Sequence, residues 1–405
     1  MKLLVVGLRR ALRGAVCCLA LLVSGPTTVA HSVLDGEPQA RRFVRGEGEI
    51  EEVLDRIMGD IQLGHNERAL LRSEALIEER PNFLLGHLLR GDLLRLQAGG
   101  ISMMGDAPRG PPERLLALRE EARARLTAWR NPPPPHALPR VLVQMGEHQD
   151  FAVLVDTELS RLYVFGNEGG RPRLVEHFYI SQGKAGADKA FAGDKRTPLG
   201  VYRITEKLPH SALGSFYGSG AFALNYPNEW DKHQGRSGHG IWLHGTPPDT
   251  YSRAPRASEG CVVLANDDLR RLDAMLQPGH TPVVISPNVQ WVSERDWHAE
   301  REALSREIEM WRRAREQHDA TRLLGLYSPR MHRNPRRHEA WLREQRDALA
   351  HAAPGAVRVS DLTVLRDPKD DLFVATFELD EKGQRSRVRQ YWLREAGQWK
   401  IVFET

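Results

Sequence analysis

The sequence predicts a multidomain chain: a helical N-terminal region, a mostly-β central domain and an α+β, cone-like C-terminal domain. Three observations carry this. Apolar residues recur at helical spacing as far as Trp129, change to strand-like runs between Arg140 and Gln290, then give helices followed by strands to Thr405. A stiff stretch, Asn131 followed by Pro132 to Pro135, parts the first region from the second. The 405 residues suffice for two or three domains. The expected divisions are 1–30 for an export leader, 31–135 for the helical region, 136–290 for the central domain and 291–405 for the last.

Lys2, Arg9, Arg10 and Arg13 precede an apolar run, Ala15 to Ser24, and Thr28-Val29-Ala30 offers small residues for cleavage. The run is short of the ~20 residues that a spanning helix needs. The expectation is an exported protein of the periplasm or cell envelope. Cys17 and Cys18 lie in the leader, so its removal leaves Cys261 as the sole thiol. A lone cysteine cannot close an internal disulfide, and a nucleophile is one reason for it to persist. The formal charge is +4, with no Lys/Arg tract interleaved with aromatics. A nucleic-acid role therefore has no support, whereas mild basicity suits an anionic envelope polymer.

In the helical region, Ile50, Val53, Leu54 and Ile57 share one face. A second helix is expected over Ile61 to Glu79, and a third over Phe83 to Leu96 after Pro81 and Asn82. Together they resemble a tetratricopeptide-type hairpin, which cannot bury its own apolar face and needs a neighbour or a partner, here an envelope protein. A loop, Pro108 to Pro112, leads to a helix over Glu113 to Trp129.

Strands are expected at Phe151 to Val155, Leu159 to Phe165, Leu174 to Ser181, Gly200 to Thr205, Ala221 to Leu224, Gly240 to Leu243 and Thr281 to Ile285. A short helix, Asn266 to Leu276, is expected to use Asn266 as its cap. Cys261 follows Gly260 and precedes Val262-Val263-Leu264, while His244 ends the apolar run Ile241-Trp242-Leu243. A thiol brought beside an imidazole is the minimal equipment for covalent acyl transfer.

The flanking residues sharpen this reading. His244-Gly245-Thr246, then Ser258-Glu259-Gly260-Cys261-Val262, together with Lys195-Arg196-Thr197-Pro198-Leu199-Gly200-Val201-Tyr202 upstream, resemble the signature of the L,D-transpeptidase (YkuD-type) family. The resemblance spans roughly Arg140 to Ser286. It implies a sandwich-like catalytic domain that needs no cofactor or metal and acts on peptidoglycan stem peptides. Cys261 would attack the carbonyl between the third and fourth stem residues, and His244 would move the protons. Backbone N–H groups at Gly260 and Cys261 would take the oxyanion, with Ser258 and Gly245 in support. The acyl group would pass to an amine. Arg196, Arg203, Arg253, Arg256, His239 and Glu259 are candidates for the substrate groove, an arginine being well suited to a carboxylate. Two departures bear on the acceptor: Glu259 stands where many members carry His, and Val263 where many carry Arg.

Three other readings stay open. One is hydrolysis, which would make the protein a cysteine peptidase or amidase of the wall. Another is a non-catalytic wall-binding scaffold. The third is a metal site from His233, His239, His244 and Cys261, whose irregular spacing lacks any short ligand pair.

Beyond Trp291, helices are expected at Glu300 to His318, Thr321 to Leu326 and His338 to Leu349. Strands follow at Ala356 to Arg366, Leu372 to Glu378, Gln384 to Glu395 and Trp399 to Phe403. Helices and then a curved antiparallel sheet resemble a nuclear transport factor 2-like (NTF2-like) cone, a fold that does not fix a role. Asp367, Asp370 and Asp371 read as a solvated turn.

Overall fold

The computed structural model describes residues 50–107, 109–332, 335–351 and 355–405. The expected leader, with Cys17 and Cys18, lies outside them.

Helices Ile50–Gln62, Asn66–Glu79, Leu84–Ala98 and Pro112–Arg130 build the N-terminal region. Ile61 closes the first helix rather than opening the second. Gly64, at φ +75°, makes the turn, and the His65 N–H returns to Asp60 O at 2.8 Å. The apolar face packs Val53, Leu54, Ile57, Leu76, Phe83 and Leu89 together with Tyr251 and Ala265 of the central domain. The hairpin thus covers its face on a neighbour within the chain. Each such side chain withdrawn from water contributes about 1.5–3 kcal/mol.

A buried charge cluster lies in the same seam. The Arg125 side chain, 3% exposed, donates to Glu121 at 2.9 Å and to Glu51 at 2.6 Å, and its guanidinium lies 3.9 Å over the Tyr179 ring. Arg161 adds a contact of 3.4 Å to Glu51. Burial pushes both carboxyls up; at Glu51 the arginines outweigh it and hold the group below its ordinary value. Removing Arg125 strands two buried acids. Arg125→Ala is expected to cost about 3–5 kcal/mol in urea unfolding, the usual loss when one partner of a buried pair is deleted. A cost under ~1 kcal/mol would show that the cluster is solvated.

The central domain is an eight-stranded mixed sheet. In spatial order its strands are Val262–Val263, Trp242–His244, Gly220–Leu224, Gly200–Pro209, Pro282–Ser286, Phe151–Asp156, Arg161–Glu168 and Arg171–Tyr179. The expected strands are present with shifted ends. Leu159 and Ser160 fall in a turn, and Gly240 and Ile241 precede their strand. Val153, Val155, Leu162, Val164, Phe222, Leu243 and Val283 fill one side of the sheet. Helix Asn266–Asp273 starts after Ala265, and Asn266 is not its cap. The Asn266 side chain instead accepts from Ser219 N at 2.8 Å and donates to Thr246 O at 2.8 Å, tying down the residues that follow His244.

The C-terminal sheet runs Gln398–Glu404, Gln384–Glu395, Leu372–Glu381, Val357–Arg366 and, at its edge, Leu142–Gln144. The last strand comes from the segment before the central domain, so the expected boundary at 136 falls ahead of a strand that belongs to the C-terminal sheet. Helix Glu294–Glu316 crosses this sheet with Leu304, Ile308 and Trp311 inward, and Trp297 Nε1 donates to Leu142 O at 2.8 Å. The turn after Arg366 is solvated only in part: Asp371 is exposed as expected, but Asp367 and Asp370 are engaged. Trp230 Nε1 donates to Asp370 at 2.7 Å, Lys369 reaches Asp188 at 2.7 Å, and burial pushes Asp367 up to about 6. It is a docking point on the central domain.

Candidate active site

Strand Trp242–His244 and strand Val262–Val263 are parallel neighbours, with Val262 opposite Leu243 and Val263 opposite His244. Cys261 therefore enters opposite Trp242. Strand side chains alternate, so Cys261 and His244 project from the same face of the sheet. Diagonal neighbours across adjacent strands lie about 7–8 Å apart, within reach of a side chain that moves a little. The fold has brought together two residues that the sequence separates by the whole 245–260 loop.

His244 is 2% exposed. Its Nδ1 lies 2.7 Å from the Gly245 carbonyl. A carbonyl only accepts, so Nδ1 carries the hydrogen and Nε2 keeps its lone pair. Burial pushes the imidazole down to about 4, the Gly245 carbonyl opposes this, and the charge of Arg253 adds to it. The Cys261 sulfur donates to Gly240 O at 3.4 Å, and among the described residues no hydrogen bond joins it to the His244 ring. Burial pushes the thiol up, against the Trp242 amide, Arg253 and Lys189, which favour the thiolate. At neutral pH the pair is a thiol and a neutral imidazole.

The turn before the cysteine is braced twice. Ser258 Oγ donates to Cys261 O at 2.6 Å and accepts from the Gly260 N–H at 3.1 Å. Thr197 Oγ1, from the Thr-Pro stretch, donates to Gly260 O at 2.9 Å and accepts from Gly183 N at 3.0 Å. Gly260 sits at φ +129°, and a Cβ there would come within 2.8 Å of Arg196 O. This corrects the expected role of Gly260: the glycine admits the 195–197 backbone, and its N–H is engaged by Ser258 rather than aimed at a substrate oxyanion. Gly245 is likewise required by packing, since a Cβ would collide with Asn266 Oδ1.

A 3-10 turn, Ser215–Tyr217, roofs the imidazole. Tyr217 meets it edge-on at 5.1 Å and also contacts Trp242 at 5.0 Å, while Phe216 lies 6.2 Å from the imidazole. The Arg253 guanidinium stacks 4.5 Å over Phe216.

The groove candidates separate clearly. Arg253 is half-buried, and its charge reaches both the sulfur and the imidazole. Arg196 is exposed on the rim and donates to Ala187 O at 2.8 Å. His239 is an exposed loop residue next to Gly240. Arg256 is exposed on strand Arg256–Ser258. Glu259 is exposed and paired with Lys184 at 2.7 Å and Lys195 at 3.6 Å. Arg203 leaves the groove: it faces the C-terminal sheet, lining a small cavity with Arg389 and Tyr391. Val263, where many members of the family carry arginine, is buried. His233 stacks on Trp230 at 5.2 Å, and among the described residues no three His, Cys, Asp or Glu gather as a metal site. A cleft of about 1170 Å³ lies against the C-terminal sheet and includes neither Cys261 nor His244 in its lining.

Sequence reading missed Lys189, Phe216, Tyr217 and Tyr251. Only the aromatic pair Phe216-Tyr217 in a glycine-flanked loop gave any local signal.

Residues 150–285 match the family model of the L,D-transpeptidase catalytic domain, YkuD. The central domain is thus similar to the L,D-transpeptidase catalytic domain. Residues 303–405 match the Cds6 C-terminal NTF2-like domain, which follows the L,D-transpeptidase domain in the expected order. Among solved structures the chain is similar to Bd1075 of Bdellovibrio bacteriovorus, with 28% identity and a TM-score of 0.59 over 66% of this chain and 97% of that one. It shares its fold with the helical cell shape determining protein Pgp2 of Campylobacter jejuni, at 24% identity and a TM-score of 0.56, over 66% of this chain and 95% of that one. No curated protein matches the chain.

Proposed function

We propose that the protein is an exported, cysteine-dependent L,D-transpeptidase acting on peptidoglycan stem peptides in the periplasm or cell envelope. The observation that supports this best is the parallel register that sets Cys261 and His244 on one face, with Nδ1 engaged and Nε2 left as a base. Sγ attacks the carbonyl between the third and fourth stem residues while Nε2 takes the thiol proton. The Cys261 N–H, in place of Gly260, is the proposed oxyanion donor. The C–N bond then breaks, Nε2 returns its proton to the leaving amine, and a D-amino acid departs. The acceptor amine attacks the thioester carbonyl, the C–S bond breaks, and Nε2 takes the amine's proton and hands it to Sγ, which restores the thiol and the neutral imidazole. An envelope protein on the outer face of the helical region, and a part in wall shape such as Pgp2's name describes, belong to the same proposal.

Incubation with a tetrapeptide muropeptide, with and without an amine acceptor, tests it by mass spectrometry. The expected results are D-alanine release, a thioester on Cys261 and a cross-linked product that grows with acceptor. Tripeptide alone at every acceptor concentration would move the activity to a wall peptidase, a reading left open by the buried Val263, which stands where many members of the family carry arginine. Wall binding with no acyl-enzyme would make the protein a scaffold.

A further inference from the structure

The L,D-transpeptidase domain does not hold its own active-site loop unaided. The segment from Pro247 to Arg253 hangs between His244 and the cysteine turn, and the helical region grips it along its length. Asn82 Nδ2 donates to Pro248 O at 3.0 Å, and Tyr251 N donates to Asn82 O at 3.3 Å. The Tyr251 ring meets Phe83 edge-on at 5.2 Å and its hydroxyl accepts from Arg80 at 3.3 Å. Ser252 Oγ donates to Glu121 at 2.6 Å, and Glu121 belongs to the Arg125 cluster. Finally Tyr179, whose ring Arg125 covers, donates its hydroxyl to Arg253 O at 2.9 Å. Every contact converges on the residue that follows: Arg253.

Arg253 is a half-buried guanidinium, and among the described residues no carboxylate pairs with it. Its contact is the Phe216 ring, which occupies the flat face and leaves the N–H edge available. Burying a cation without an anion is unfavourable unless a ligand supplies one. The position says which anion. His244 must stand on the leaving-group side of Sγ, because it protonates the departing nitrogen. Arg253 stacks on the Phe216 ring that neighbours the imidazole, and its charge reaches both the sulfur and the imidazole, which puts a cation within reach of a group leaving beside His244. In a C-terminal amino acid the carboxyl carbon lies about 2.5 Å from its own nitrogen.

We infer that Arg253 binds the free carboxylate of the leaving residue, and that the helical region holds Arg253 for this through Ser252 and Glu121. Arg253 is thereby a specificity-determining residue, and Ser252 and Glu121 are positioning residues. This rests on the acyl-transfer reading above for its substrate class, and its test separates the two.

The probes are a stem tetrapeptide with a C-terminal D-alanine acid and the same peptide as its primary amide. Binding is measured to Cys261→Ala protein, and kcat/KM to the wild type. A charge-assisted contact of this kind corresponds to about a 10–100-fold preference for the acid. Arg253→Gln should bring the acid/amide ratio towards one in both measurements, mainly through Kd and KM. Arg253→Lys should recover part of the ratio. Ser252→Ala should lower the ratio several-fold without touching the guanidinium. A ratio near one in the wild type, or a ratio that Arg253→Gln leaves unaltered while activity on both peptides falls alike, would overturn the inference and leave Arg253 as a roof for His244. Preferential binding of the acid by Cys261→Ala protein, together with no turnover by the wild type, would instead uphold Arg253 as the carboxylate site and reject the enzymatic reading.

Discussion

Cys261→Ala protein is expected to fold normally, to bind stem peptides and to have no turnover. In the proposed mechanism the sulfur forms and breaks the acyl bond, and no other nucleophile shares its turn: Ser258 Oγ spends its proton on the Cys261 carbonyl, at 2.6 Å. Water activated by His244 is the one substitute. It would meet an uncompressed, poorly positioned carbonyl, so residual hydrolysis should stay below about one part in 10³, given how much of the barrier positioning accounts for. The cost to stability should be small. The side chain loses one heavy atom and a 3.4 Å contact to Gly240 O, while the Ser258 and Thr197 hydrogen bonds that shape the turn involve only main-chain atoms of Gly260 and Cys261. About 1 kcal/mol is reasonable, which for a domain of this size shifts Tm by about 2–4 °C. The measurements are intact-protein mass after muropeptide, D-alanine release and a melting curve. Turnover above a few percent of wild type by pure C261A protein would remove Cys261 from the mechanism. A collapse in Tm would show that the thiol is structural.

Cys261, His244 and the Thr-Pro stretch were legible because each leaves a local mark. A glycine before a solitary thiol, a histidine ending an apolar strand and a threonine before a proline survive as short patterns. The structure gives the threonine a physical reason, since Thr197 Oγ1 bonds to Gly260 O and fixes the turn that presents the sulfur. The faces of Arg203 and Arg253 were not legible. Arg203 falls inside an expected strand and Arg253 in an expected loop, yet Arg203, on a strand paired with Pro282–Ser286, looks to the C-terminal sheet. Arg253 sits in a loop whose path is set by contacts with residues 80–125, more than a hundred positions earlier in the chain. Leu142–Gln144 was missed for another reason: three residues carry no measurable alternation, and only the partner strand Val357–Arg366 makes them a strand. The same holds for the turn after Arg366, whose aspartates look like solvated surface until Trp230 and Lys369 are placed against their partners.

His244→Ala should slow acylation by about 10²–10⁴-fold, the usual worth of a positioned proton-transfer group, and the pH profile should reveal how the residue acts. Its imidazole is pushed down to about 4, chiefly by burial, so it loses its proton as pH rises through about 4 and is a free base at every higher pH. Burial moves the Cys261 thiol the other way, so the sulfur keeps its proton through neutrality. Wild-type acylation should therefore be level from about pH 5 to 8 and fall only as the imidazole is protonated near 4. A preformed thiolate–imidazolium pair behaves differently: its rate falls on the alkaline side, where the imidazolium loses its proton. Without His244 the reaction must wait for thiolate. The variant's rate should then rise about tenfold per pH unit across the neutral range, narrowing the gap to wild type at high pH. Acylation rates between pH 3.5 and 9.5, by stopped-flow mass analysis of the thioester, decide the matter. Equal profiles in the two proteins would exclude His244 as the base and pass the test to His239, which stands exposed beside the Gly240 carbonyl that now accepts the thiol proton.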